Sequence, residues 1–164
     1  MFIFAYGSNM CDQKLRKIVP SARSVATCCL ARYRLKFHKP SSIDGSGKAD
    51  AFETGDAGDE VWGVVFEINP AHQPALDQSE GLGYGYDLKT VHVIAEDGSA
   101  FDALAYVASA IDQDLRPFDW YKRYVVEGAR KHRLPAPYIA NIEAIPADDD
   151  PNETRGAQHR AVVC

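Results

Sequence analysis

Tyr6, Gly7, Ser8 and Asn9 stand between an apolar run, Met1 to Ala5, and a segment with helical spacing. A turn from strand into helix exposes backbone amides, the helix amino end is electropositive, and Gly7 lets another chain come close. Such a turn suits a carboxylate or a phosphate. Taken alone, the same four residues also fit an ordinary turn capped by Ser8 or Asn9.

Glu80 is the second point where chemistry is possible. As the last residue of a helical segment before Gly81, it faces the negative end of the macrodipole, which keeps a carboxylate ready to take up a proton. Asp77, one turn earlier, pushes the same way through like-charge repulsion if both face one cleft. General acid–base work is the chemistry that follows, and the plainer reading is a solvated glutamate beside a helix-stop glycine. Tyr6, Tyr84, Tyr86, Tyr106 and Tyr121 fall at strand ends, glycine-rich loops or a helix start, where phenols can donate hydrogen bonds inside an apolar pocket. For any single one, a core-edge tyrosine with a wet hydroxyl is the better reading.

Other chemistries find no support. The five histidines, at 38, 72, 92, 132 and 159, show no metal-ligand spacing with one another or with the cysteines, so no metal is expected. There is no G-x-S-x-G elbow and no phosphate-binding G-x-x-x-x-G-K-[ST], and Gly81-Leu82-Gly83-Tyr84-Gly85 has the wrong spacing for a dinucleotide fingerprint. Cys11, Cys28, Cys29 and Cys164 fit neither a disulfide framework nor a C-x-x-C site and are expected to be reduced.

The elements that must position these residues can be read in order. Met1 to Ala5 is a buried first strand, and Met10 to Val19 is a helix stopped by Pro20. Ser24 to Phe37 reads as extended, with alternation from Leu30 onward, and Ser41 to Lys48 as a flexible loop. Strands follow at Ala49 to Thr54 and Glu60 to Ile68, the latter the most apolar and central. Asn69-Pro70 starts a short helix ending near Glu80, and Asp97-Gly98 joins strands Tyr86 to Glu96 and Ala100 to Ala108. Phe118, Tyr121, Tyr124, Val125, Gly128 and Ala129 share one helical stripe, and a last helix from Pro137 carries Ile139, Ile142 and Ile145. The expected fold is α+β: a small single domain, residues 1–145, with a mainly antiparallel barrel-like sheet of five or six strands and flanking helices. Residues 146–164 are expected to be a loosely ordered tail.

With 164 residues, one core is expected, and 46% hydrophobic and 25% charged residues exclude a disordered or fibrous chain. A formal charge of −5 gives no global field for nucleic acid or anionic lipid. No apolar run reaches bilayer length and no signal-peptide pattern opens the chain, so a cytoplasmic protein without membrane or nucleic-acid partners is expected.

Phe4-Ala5-Tyr6-Gly7-Ser8-Asn9-Met10, Asp59-Glu60-Val61-Trp62-Gly63-Val64-Val65-Phe66 and Leu76-Asp77-Gln78-Ser79-Glu80-Gly81 together resemble the gamma-glutamylcyclotransferase family in order and spacing. Trp120-Tyr121-Lys122-Arg123, Gly128-Ala129 and Leu134 to Ile139 extend the resemblance over about residues 2 to 145. It implies that Ile3, Phe4, Ala5, Tyr6, Gly7, Ser8 and Asn9 cradle substrate and that Glu80 transfers protons. It also implies that Tyr121 borders the pocket, with Tyr106 and either Tyr86 or Tyr84. The reaction implied is release of an amino acid from a γ-glutamyl amide, forming 5-oxoproline, with a small-molecule substrate, no cofactor, and a monomer or homodimer. Alternatives are a γ-glutamylamine cyclotransferase, removal of a γ-glutamyl protecting group, or a non-catalytic binding module for amino-acid-like anions, against which Glu80 argues. A glutathione-specific branch fits less well, since it carries Gly-Ser-Leu where this chain has Gly7-Ser8-Asn9.

Overall fold

The computed structural model describes residues 1–164. In chain order the elements are β1 (Phe2–Ala5), α1 (Asp12–Ile18), β2 (Arg23–Ala31), β3 (Tyr33–Pro40), β4 (Gly47–Glu53), β5 (Glu60–Glu67), α2 (Gln73–Glu80), β6 (Tyr86–Ala95), β7 (Ala100–Ala108), α3 (Asp119–Lys131), α4 (Ala136–Ala144) and α5 (Glu153–Arg160). Five strands close a barrel in the order β1-β5-β2-β6-β7, and β3 and β4 form a separate two-stranded ribbon. β1 lies antiparallel to β5, with Ile3 opposite Phe66 and Ala5 opposite Val64, and meets β7 in parallel at Leu104. Closure leaves β1 without a free edge, which explains why its short apolar run is buried.

The extended stretch from Ser24 to Phe37 is two strands, not one. Arg32 adopts φ +70°, and its carbonyl accepts from the Thr54 and Gly55 amides while its own amide donates to the Asp59 carbonyl at 2.7 Å. Those three bonds hold a left-handed arginine that propensity disfavours, and the chain leaves the barrel there to form the ribbon.

The ribbon returns to the barrel through a buried carboxylate. Asp50 accepts from the Ala108 amide at 2.7 Å and bonds the His38 ring at 2.8 Å, which sets β4 against the end of β7. Helix α3 covers the start of the chain with its apolar stripe, and Gly128 permits the contact, because a Cβ there would lie 2.7 Å from that of Met10.

The last residues are not a loose tail. Asp150 is buried, accepts from Trp120 Nε1 at 2.8 Å and receives both Arg155 Nε and Nη2 at 2.8 and 2.7 Å, and these Arg155 bonds hold its carboxyl well below the usual range. Helix α5 then lays the His159 ring flat on Trp120 of α3, with ring centroids 3.8 Å apart. Cys164 comes back to pair with Cys11 in a disulfide, so two of the four cysteines expected to be reduced are joined, while Cys28 and Cys29 are free. One carboxylate of the run Asp148-Asp149-Asp150-Pro151, in the expected tail, serves instead as a buried anchor. No helix is long and apolar enough to cross a membrane.

Candidate active site

The chain leaves β1 at Ala5 and makes a short 3-10 turn over Ser8–Met10; α1 starts only at Asp12, after an extended Cys11. The helix expected from Met10 therefore begins two residues later, and the loop residues Tyr6 to Asn9, not an α-helix end, line the pocket. The Tyr6 and Gly7 amides donate to no acceptor within the chain. Gly7 is required by proximity: its φ is −110°, but a Cβ would sit 2.9 Å from the Ala49 Cβ.

Glu80 arrives from the opposite side as the last residue of α2. Asn69 caps the preceding turn through the Ala71 amide at 3.0 Å, and Gly81, at φ +70°, ends the helix in the left-handed conformation that glycine adopts freely. Glu80 Oε1 accepts from Asn9 Nδ2 at 2.6 Å, and Asn9 Oδ1 accepts from Lys14 Nζ at 2.8 Å. Asp77 stays outside this chain of bonds and accepts instead from the Tyr106 hydroxyl at 2.5 Å.

Phe4, Ala5, Tyr6, Gly7, Ser8, Asn9, Glu80, Tyr86, Tyr106 and Tyr121 line one pocket of about 40 Å³, together with Ala49. Ile3 is buried in the β1 ladder and does not line it. Of the two competing tyrosines, Tyr86 is buried in the wall, whereas Tyr84 is 97% exposed at the rim of the adjoining vestibule. That vestibule, about 360 Å³, shares Ser8, Glu80, Tyr86 and Tyr121 with the pocket. A roomier groove of about 740 Å³ beside α4 contains none of these residues.

Ala49, which the sequence gives no reason to single out, fixes two of the phenols. Its amide donates to Tyr121 Oη at 3.1 Å and its carbonyl accepts from the Tyr86 hydroxyl at 2.6 Å. The Tyr6 hydroxyl donates to the Tyr106 carbonyl. Burial pushes Tyr6 and Tyr86 well above the usual phenol range, raises Tyr106, and lifts Tyr121 to about 12. All four are neutral donors near pH 7, and Glu80 carries the one carboxyl group among the residues lining this pocket. No group of three or more His, Cys, Asp or Glu side chains is placed to hold a metal ion.

A mouse protein named gamma-glutamylcyclotransferase is 32% identical over 161 residues, covering 93% of this chain and 80% of the mouse protein. The chain belongs to the gamma-glutamylcyclotransferase family. The human protein of that name is 31% identical over 151 residues, covering 89% of this chain and 79% of its own length. A solved structure titled gamma-glutamyl cyclotransferase superposes with a TM-score of 0.85 at 27% identity, covering 96% of this chain and 98% of that one. The pattern described as AIG2-like family matches residues 60–142. The barrel with flanking helices is the gamma-glutamylcyclotransferase fold, and the chain is an enzyme of the gamma-glutamylcyclotransferase type.

Proposed function

We propose that the pocket binds a γ-glutamyl amide, that the Tyr6 to Asn9 loop holds its α-carboxylate, and that Glu80 moves the proton. The substrate's α-amine attacks its own γ-carbonyl carbon. The new C–N bond closes a five-membered lactam, 5-oxoproline, and the old amide C–N bond breaks to release an amine or amino acid. No water is consumed.

Nucleophile and electrophile share one molecule, so the protein's main task is to hold a folded conformer with nitrogen roughly 3–3.5 Å from the carbonyl carbon. The unpaired Tyr6 and Gly7 amides suit a carboxylate in that role. An α-amine is mostly protonated near neutral pH, so a base must accept its proton before or during attack, and the same proton then serves the departing nitrogen. Both transfers are the role we assign to Glu80, with the neutral phenols of Tyr86 and Tyr121 forming part of the pocket wall.

The observation carrying this reading is that Glu80 and the amide-bearing loop line one pocket in a chain of this family. The test is 5-oxoproline release from γ-Glu-Ala, γ-Glu-Gln, γ-glutamyl-ε-lysine and glutathione by wild type and Glu80→Gln. Wild type is expected to release 5-oxoproline from at least one of them, and Glu80→Gln to lose about 10²- to 10⁴-fold in kcat with its melting curve unchanged. Near-native turnover by Glu80→Gln would remove Glu80 from the mechanism.

A further inference from the structure

The vestibule outside the pocket is lined by more cations than carboxylates although the chain carries a formal charge of −5. Lys14, Lys39, Lys48 and Arg155 line it, against the carboxylates of Asp44 and Glu80. Three of these cations are engaged. Lys14 donates to Asn9, Lys48 donates to Asp44 at 2.7 Å and to Ser46, and Arg155 holds Asp150.

Lys39, near the end of β3, is different. Its ammonium has no hydrogen-bond acceptor and no carboxylate within ion-pair distance; it lies over the Tyr86 ring, 4.8 Å from the centroid. An aromatic face holds a cation in place without neutralising it. Gly85 makes the position possible, since a Cβ there would come within 2.6 Å of Lys39 Cε and 2.7 Å of Nζ. Burial moves the ammonium below the usual lysine range while Glu80 and Asp44 pull it back up, and an anion bound to it would add to that pull.

We propose that Lys39 is the anchor for the carboxylate of the leaving group, so that the enzyme selects γ-glutamyl amino acids over γ-glutamyl amines. The proposal rests on the cyclotransferase reading above. Tyr86 links the two halves of the site, because its hydroxyl is fixed on Ala49 in the pocket wall while its ring carries the Lys39 ammonium in the vestibule. A scissile amide beside Glu80 would thus place its departing half in the vestibule that Lys39 lines.

The probes are γ-Glu-Ala and γ-glutamyl ethylamide, whose leaving groups differ only by the carboxylate. The readout is the ratio of their kcat/KM values for 5-oxoproline release. Wild type is expected to favour γ-Glu-Ala, and Lys39→Met and Lys39→Gln to lower the ratio about 10- to 100-fold, the worth of one charge-assisted hydrogen bond. Lys39→Arg should restore part of it, and Gly85→Ala, which displaces an intact lysine, should lower it.

A ratio within twofold of wild type in both Lys39→Met and Lys39→Gln overturns the proposal. Equal losses on both substrates with a displaced pH profile overturn it too, since Lys39 would then act on Glu80 and not on the leaving group. Silence of wild type on both probes and on the four compounds above would instead overturn the cyclotransferase reading, and this one with it.

Discussion

The Asn9 carboxamide bridges a cation and a carboxylate: Lys14 Nζ donates to its Oδ1 at 2.8 Å, and its Nδ2 donates to Glu80 Oε1 at 2.6 Å. The orientation is dictated by chemistry, because an ammonium can only donate and an ionised carboxylate can only accept. Burial lowers the Lys14 pKa and Glu80 raises it, so the three groups behave as one unit. Asn9 is a positioning residue for Glu80.

Replacing Asn9 tests that unit. Asn9→Ala removes the donor that orients Glu80 and is expected to lower kcat about 10-fold with a smaller change in KM, consistent with the usual worth of a hydrogen bond to a charged group. Asn9→Asp keeps an acceptor for Lys14 but sets a second carboxylate against Glu80, and should lose more than Asn9→Ala. Steady-state kinetics on a γ-glutamyl dipeptide decide it, and full activity in Asn9→Asp would show that the bridge has no role in turnover.

A second prediction concerns the closeness of the loop to β4. A methyl at position 7 would meet the Ala49 Cβ at 2.9 Å, and neither group can swing aside. Gly7→Ala is expected to raise KM about 10-fold by displacing the Tyr6 and Gly7 amides, an effect of roughly 1.4 kcal/mol. Ala49→Gly in the same chain removes the opposing methyl and should recover much of the loss, at a stability cost of about 1 kcal/mol for glycine in a strand. A double variant no better than Gly7→Ala would show that the clash is not the cause.

The buried phenols predict behaviour at high pH. Tyrosines in the unfolded chain lose their protons near pH 10, whereas the folded pKa of Tyr121 is about 12 and those of Tyr6, Tyr86 and Tyr106 are raised. Above pH 10 the unfolded state therefore binds fewer protons than the folded state, and stability falls as pH rises. Tyr121 alone accounts for about 3 kcal/mol across that interval. Urea midpoints between about pH 9 and pH 12 should decline, with Tyr121→Phe declining less steeply; midpoints that stay level would contradict the burial of these hydroxyls.

Much of this arrangement is legible in the sequence, because local chemistry set it. The strand before Tyr6, the Asn69 cap, the stop at Gly81 and the α3 stripe each follow from residues close together in the chain. What was not legible depends on partners far away. Ala49 matters through its backbone, to which any residue type contributes the same groups. Lys39 lies just past the strand read to Phe37 and carries no signal of its own until Gly85 and Tyr86 are placed beneath it. Arg32 breaks a strand against its own propensity because three distant backbone groups satisfy it. Asp150 and Cys164 fall in the stretch expected to be a loose tail until Trp120, Arg155 and Cys11 receive them.

The parallel seam between β1 and β7 also governs when the enzyme can come into being. During synthesis β1 emerges before either of its neighbours, and the Tyr6 hydroxyl finds its acceptor on Tyr106, 100 positions later. Contacts so distant along the chain form only after a large loop has closed, which slows folding. The loop we propose for the substrate is thus made before β7 and cannot take its final shape until β7 has paired, so a nascent chain stays inert until nearly all of the barrel is assembled.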